Sequence, residues 1–402
     1  MKLSVVIPTY KRGAILQWCL KEIHQQTLHT DFFEVIVVSD EGPLLIEIGE
    51  INYSLMVDYD LDRIKKGPAT ARNCGARRAT GDIILFMGDD CIPDRNLFWR
   101  HLYAHYKNDQ GERAVQGYTD WHPAIPPDVF MNFLNESGLQ ANWPALKNKD
   151  GSWKERCDGW FLTTNASIPK RLFDQIGGFN EAFPAAAWED IELSFRLSKL
   201  GIPSFLEVDG INYHYHRHTL DSFARRNIVE GKSRLVICSL HPELSGSMLD
   251  PKGLRETSYT TFQEWMGYAK ELHYARGSDI EGQQKTRWHE ALRQASLEGI
   301  RQGIKERGGI WLAVPHVHTK EACRNVVAAA AATAKGDTIY ALFEIETALR
   351  FHPDNWALFA ARGEILVKQG SLDLAKESFL RALEIGPGEK WPVGALETIN
   401  GR

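Results

Sequence analysis

Thr80–Arg95 reads TGDIILFMGDDCIPDR. Ile83 to Met87 form an unbroken apolar run between Gly81 and Gly88, the pattern of a short strand buried on both faces of a sheet. The run ends at Asp89 and Asp90. Two adjacent carboxylates at the carboxyl end of a buried strand repel each other and lose hydration unless a cation, water or substrate hydroxyl groups meet them. A Gly-Asp-Asp triplet by itself closes a strand more often than it binds a metal, so its meaning depends on what the rest of the chain brings to it.

Upstream, the β-branched run Leu3 to Pro8 ends in Pro8-Thr9-Tyr10-Lys11-Arg12, and Ala14 to Gln26 has the apolar spacing of an amphipathic helix. A second strand, Phe33 to Val38, stops at Ser39-Asp40, which puts another acid at a strand's carboxyl end. A short apolar stretch, Leu55 to Val57, and the segment Gly67 to Ala79 lead into the strand at 83–87. This alternation predicts an α/β domain with a largely parallel sheet and a ligand at the carboxyl ends of its strands.

Downstream, the pattern loosens between His101 and Pro169, where loop or edge strand is expected. Trp121, Trp143, Trp153 and Trp160 read there either as core or as platforms for sugar rings. Thr164-Asn165-Ala166-Ser167-Ile168-Pro169 and Gly177-Gly178-Phe179-Asn180-Glu181 restore a clear pattern. A helix from Ile191 to Leu200 then sets Glu189 and Asp190, after Trp188, in its first turn, where a helix N-terminus stabilises carboxylates. Capping explains one of these acids; two are more than a cap requires. From Val208 to His218 histidine recurs at every second position, and in a strand that period places His214, His216 and His218 on one face, a candidate metal or phosphate site.

With 402 residues and ordinary hydrophobic and charged fractions, the chain can build one sizeable core and a smaller module. A net charge of −5 argues against non-specific nucleic-acid binding. Six cysteines spread singly suggest neither a zinc knuckle nor a disulfide framework and fit a reducing cytoplasm. Neither a signal peptide nor a membrane-length apolar run is visible, so the expected location is cytoplasmic, with any membrane contact peripheral at its inner face. In the tail, Gly336 and Gly370, Ala341 and Ala375, Ala348 and Ala382, Leu349 and Leu383, and Pro353 and Pro387 are each 34 residues apart, the tetratricopeptide period. Two units fit, Lys320 to Pro353 and Asp354 to Pro387. Residues 241–319 join the two parts with helix-favouring sequence around Phe262 to Tyr274 and Arg287 to Ile304.

Taken in order, SVVIPTYKR, EVIVVSDEGP, GPATARNCGARRATGDIILFMGDDCIP, TTNASIP, GGFNE, WEDIELSFRL and YHYHRH resemble the family 2 glycosyltransferases of GT-A fold. The resemblance implies a Rossmann-like mixed sheet in a catalytic domain over 1–235, followed by an all-α region: a helical extension over 236–319 and tetratricopeptide-like repeats over 320–402. It also implies an inverting transfer of sugar from a nucleotide-diphosphate sugar, UDP favoured over GDP, to a hydroxyl of a glycan, protein or lipid-linked saccharide. Mn2+ or Mg2+ would assist. Asp90 would hold the metal, with His214 or His216; Asp89 would hold the ribose or support the metal. Asp40 would accept from the base, while Pro8, Thr9, Tyr10 and Arg12 line the nucleotide pocket. Arg72 would orient Asp40 or the phosphates, and Arg225 and Arg226 would close over the diphosphate. Asp190 would be the base, with Glu189 as its runner-up, and Trp188 and Asn165 would meet the acceptor.

Two positions depart from the family pattern: Gly88 stands where an acid often begins the metal motif, and Ser39 where a second Asp is common. The repeats imply a protein partner, a protein acceptor or self-association. The competing reading is an inactive scaffold of the same fold. A nucleotidyltransferase would want a glycine-rich phosphate loop after the first strand, and Pro8-Thr9-Tyr10-Lys11-Arg12 is not one.

Overall fold

A computed structural model describes residues 1–44, 46–47, 49–59, 67–107, 112–271 and 278–400. The chain divides into two compact units, Met1–Thr219 and Leu220–Arg402. The first is built on eight strands: β1 (Leu3–Thr9), β2 (Phe33–Ser39), β3 (Ser54–Asp58), β4 (Ile83–Met87), β5 (Cys91–Pro93), β6 (Ala114–Trp121), β7 (Asn165–Pro169) and β8 (Ser204–His214). They form one sheet in the order β3-β2-β1-β4-β7-β6-β8-β5. Its helices are α1 (Gly13–Ile23), α2 (Pro68–Arg78), α3 (Leu97–Tyr106), α4 (Val129–Glu136), α5 (Lys170–Gln175) and α6 (Glu189–Lys199).

The sheet is mixed. It is parallel across β3-β2-β1-β4, where strands alternate with helices, and again between β6 and β8; β7 is antiparallel to both β4 and β6, and β5 to β8. The loosened stretch 101–169 corrects the sequence reading: it supplies β6, an interior strand between β7 and β8. Its polar residues conceal it, because Gln116, although fully buried, spends its amide on the carbonyls of Gly117 and Asn165 and on the Leu162 N–H.

Apolar side chains cover both faces. Leu3, Val5, Ile7, Val35, Val37, Leu85 and Met87 pack with Leu16, Leu20 and Ile23 of α1, and Val6, Ile36, Val38, Ile84 and Phe86 pack on the other side with Ala71, Cys74, Phe173 and Phe179. Alternation along each strand distributes these residues between two cores, as a sheet buried on both faces requires. A one-sided irregularity interrupts the β6–β8 pairing: Gly117 faces Glu207, but Tyr118 faces Ile211. Such a bulge leaves backbone groups without ladder partners. Asn165 meets them.

The second unit is helical: α7 (Leu220–Leu240), α8 (Ser245–Met248), α9 (Pro251–Glu256), α10 (Tyr259–Glu271), α11 (Ser278–Arg307), α12 (Lys320–Ala334), α13 (Thr338–Phe351), α14 (Trp356–Gln369), α15 (Leu372–Ile385) and α16 (Lys390–Asn400). The helix expected to reach Tyr274 is α10, with 272–274 outside the described residues. The periodic tail positions have local causes. Gly336 and Gly370 take positive φ, 83° and 85°, just beyond α12 and α14, and Ala341, Ala348, Ala375 and Ala382 are buried. Among the described residues no helix is long and apolar enough to cross a membrane.

Candidate active site

Ladder register assembles the acidic centre. β1 and β4 run parallel side by side, so the end of β1 lies against the turn that follows β4, and Thr9 Oγ1 donates to Asp89 Oδ2 at 2.8 Å. The turn into β5 then sets Cys91 opposite His214 of β8, while His214 is also opposite Trp121 of β6. His214 Nε2 therefore lies 3.2 Å from Asp90 Oδ2, and the backbone N–H of Tyr215 donates to the Asp90 carbonyl at 2.7 Å. β8 ends at His214, but the extended chain beyond it keeps His214, His216 and His218 ring against ring, with centroids 5.6 and 4.5 Å apart along the series. The Trp121 ring stacks on His214 at 5.7 Å.

Asp90, His214 and His216 offer ligand atoms that all lie within 4.8 Å of one another. His214 Nδ1 is buried with no hydrogen-bond partner among the described residues. One carboxylate and two imidazoles form a donor set for a divalent transition ion, so the residues present fit the metal that the motif implied. Arg12, the residue that opens α1, reaches the same place: its Nη1 donates to Asp89 Oδ1 at 3.1 Å and to Asp90 Oδ2. Burial raises the pKa of Asp90, but the hydrogen bond and charge of His214, with Arg12, outweigh it and hold the carboxyl well below the usual range. Asp89 moves the other way, raised by burial and by the neighbouring Asp90 charge against the pull of Arg12 and Thr9.

The second acidic pair stands at the N-terminus of α6. Trp188, half-buried, precedes it with φ 73°, a left-handed conformation uncommon for a bulky side chain and concentrated at functional sites. Asp190 is partly exposed and accepts from the backbone N–H groups of Ile191, at 2.8 Å, and Thr163. Thr163 leads into β7, whose first residue, Asn165, is paired with Met87 at the end of β4, so both acidic pairs lie at the same end of the sheet. Glu189 is buried and bound by Arg72 Nη1 at 2.7 Å. Burial, and for Glu189 also the adjacent Asp190 charge, raises both carboxyls while Arg72 opposes the shift. A raised carboxylate is a stronger base, which suits proton removal from a hydroxyl group.

Several predicted residues sit elsewhere. Arg72 holds Glu189, and Asp40 instead accepts from the Gly67 N–H at 2.6 Å. Pro8 and Tyr10 flank Thr9 at the end of β1, Tyr10 being about half exposed. Asn165 is fully buried: its Nδ2 donates to the Tyr118 and Gly210 carbonyls, each at 2.8 Å, and its Oδ1 accepts from His101 Nε2. It closes the bulge from within the core. Arg225 and Arg226 belong to the second unit, both exposed on α7, with Arg226 over the Phe223 ring. Trp121, which the sequence left among several tryptophans, is the one stacked on His214.

Residues 4–120 match the family described as Glycosyl transferase family 2. That stretch holds Asp40, Asp89 and Asp90; Glu189, Asp190 and the histidines lie beyond it. The validoxylamine A glucosyltransferases of Streptomyces hygroscopicus subsp. jinggangensis (strain 5008) and subsp. limoneus are each 27% identical over 303 residues, 67% of this chain, and the matches cover 69% and 64% of their lengths. The chain thus spans about two thirds of these curated relatives. A solved mannosyltransferase from Pyrobaculum calidifontis, in complex with GDP-Man and Mn2+, aligns over 91% of this chain and 87% of its own with a TM-score of 0.44 and 16% identity.

Proposed function

We propose that this protein is an inverting, metal-dependent glycosyltransferase that moves a sugar from a nucleotide-diphosphate sugar, a UDP-sugar in preference to a GDP-sugar, to an acceptor hydroxyl of a glycan, protein or lipid-linked saccharide. The observation that carries the reading is the Asp90, His214 and His216 cluster, at the same end of the sheet as the Asp190 carboxylate. Those three residues would hold a divalent ion, which would supply Lewis-acid neutralisation of the departing diphosphate. The mixed nitrogen and oxygen donors favour Mn2+ over Mg2+.

In this reading Asp190 takes the proton of the acceptor hydroxyl as its oxygen bonds to the anomeric carbon, and the bond from that carbon to the diphosphate oxygen breaks with its electron pair. Attack opposite the leaving group inverts the centre. Glu189, paired with Arg72, fixes the first turn of α6 and leaves the role of base to Asp190. Thr9 and Asp89 are assigned to the ribose side, Asp40 with Pro8 and Tyr10 to the base, and Trp188 to the acceptor. Catalysis belongs to residues 1–235, with 236–319 as a helical extension. Residues 320–402 are read as tetratricopeptide-like repeats for a protein partner or self-association, a role supported by the exposed Ile339, Tyr340 and Phe343 of α13. An inactive scaffold is not retained, since the acids and imidazoles that transfer requires are all present.

Asp190→Asn is the decisive variant. It keeps the shape of the side chain and removes the base, so turnover should fall by about 10²-fold or more with donor affinity within a few-fold of wild type. Unchanged turnover would remove Asp190 from the mechanism.

A further inference from the structure

Asp90 Oδ2 is contested. It is the oxygen 3.2 Å from His214 Nε2 and 3.8 Å from His216 Nδ1, and it is also the oxygen to which Arg12 donates. Because like charges in a partly desolvated site repel strongly at contact distance, a divalent ion and a guanidinium cannot both sit on that atom without a large penalty. Asp90 is fixed: its side chain is 9% exposed, and its backbone is tied to Tyr215. Arg12 is not fixed in the same way. Its side chain is 42% exposed, it follows Lys11 in a left-handed turn with φ 55°, and its second contact, Asp89 Oδ1, belongs to a residue outside the ligand cluster.

We propose that Arg12 is an internal counter-cation that competes with the divalent ion for Asp90 and yields the carboxylate when the donor's diphosphate arrives, so that metal and nucleotide bind cooperatively through this side chain. The inference rests on the metal-dependent reading above. A guanidinium released from Asp90 needs another anion, and a diphosphate offers oxygen pairs matched to its fork. Pairing with Arg12 also lets two adjacent aspartates fold side by side, since it supplies the positive charge that a buried acidic pair demands. Linkage then makes the effect reciprocal: the factor by which nucleotide tightens metal equals the factor by which metal tightens nucleotide.

The test is Mn2+ binding to the full chain, followed by the electron paramagnetic resonance of free Mn2+, with and without UDP or GDP. It compares wild type, Arg12→Gln, Arg12→Lys and Asp90→Ala, each checked by thermal melting. Wild type is expected to bind Mn2+ weakly alone and at least about fivefold tighter with nucleotide. Arg12→Gln should bind Mn2+ alone at least about fivefold tighter than wild type and lose most of the nucleotide's enhancement. Arg12→Lys, which keeps the charge but not the fork, should bind Mn2+ alone near the wild-type affinity and keep part of the nucleotide's enhancement. If Arg12→Gln binds Mn2+ alone no tighter than wild type while Asp90→Ala abolishes binding, the metal site stands and the Arg12 exchange is overturned. Arg12→Lys behaving like Arg12→Gln would equally overturn it, because charge would not be the cause. Mn2+ binding that survives Asp90→Ala would overturn the metal assignment, and the exchange with it.

Discussion

Asn165 shows how one side chain can be structural where its motif implies contact with substrate. Its amide nitrogen closes the β6–β8 bulge through Tyr118 and Gly210, and its oxygen accepts from the N–H at His101 Nε2. The His101 ring must then accept at Nδ1, from Ser167 Oγ at 2.8 Å, and Ser167 Oγ in turn accepts from His105 Nε2 at 2.9 Å. Asn165→Ala would orphan two buried carbonyls and an imidazole, costing about 2–4 kcal/mol of stability by urea unfolding. A normal unfolding midpoint with a raised acceptor KM would instead return Asn165 to the acceptor site. Burial holds His101 neutral, with its pKa lowered to about 4 from 6.5. Between those values the unfolded chain binds more protons than the folded one, so stability must fall as pH drops through that window, by roughly 1 kcal/mol per pH unit for this group. Urea midpoints at pH 7, 6 and 5, compared with those of His101→Asn, measure it: the variant's slope should be shallower.

The same residues mark what the sequence makes legible. Asp89 and Asp90 stand out because an apolar run of strand length ends on them, and the three histidines because their period survives into extended chain. The Arg72–Glu189 pair and the burial of Asn165 are invisible at sequence level, since each depends on the pairing of segments far apart in the chain. Gly88, a departure from the family pattern, has a local reason: a Cβ there would stand 3.0 Å from both Asp90 Oδ1 and Cys91 Sγ, so a larger residue would press on the Asp90 carboxylate.

At the scale of elements, α2 is the helix whose sequence looks least like one and whose packing explains it. Eight consecutive residues, Ala69 to Ala76, are buried, so it shows little of the one-sided pattern of a surface helix. Small residues let it lie close against β1 and β2 and so bring Arg72 to Glu189. A Cβ on Gly75 would stand 2.4 Å from Val6 Cγ1 and 3.2 Å from Val38 Cγ2. Helix propensity favours Gly75→Ala by about 1 kcal/mol, whereas overpacking between a helix and a central strand costs about 1–3 kcal/mol. The steric effect should win, lowering the melting temperature; a rise would mean that the helix relaxes away from the sheet. The parallel half of the sheet was readable because helices alternate with strands there. The mixed half was less so, since β6 carries buried polar residues and β5 follows β4 after a turn of only three residues, with no helix between them.

For the molecule as a whole, each of the two units has its own core, and they pose different questions to solution. The second is a series of helices whose C-terminal part is shaped by caps and buried alanines: Asp337 and Asn355 accept from the backbone N–H groups that begin α13 and α14. The first holds the candidate site. Its centre brings together two carboxylates, two imidazoles and Arg12, the set on which the proposed metal and diphosphate binding rests. The most direct measurement is therefore the heat stability of the full protein with UDP, GDP and their sugar conjugates, with and without Mn2+, in wild type and Asp90→Ala. The account predicts a rise in melting temperature for one nucleotide class, larger with Mn2+ and lost in Asp90→Ala. No rise with any nucleotide in the presence of Mn2+, or a rise indifferent to Asp90, would contradict it.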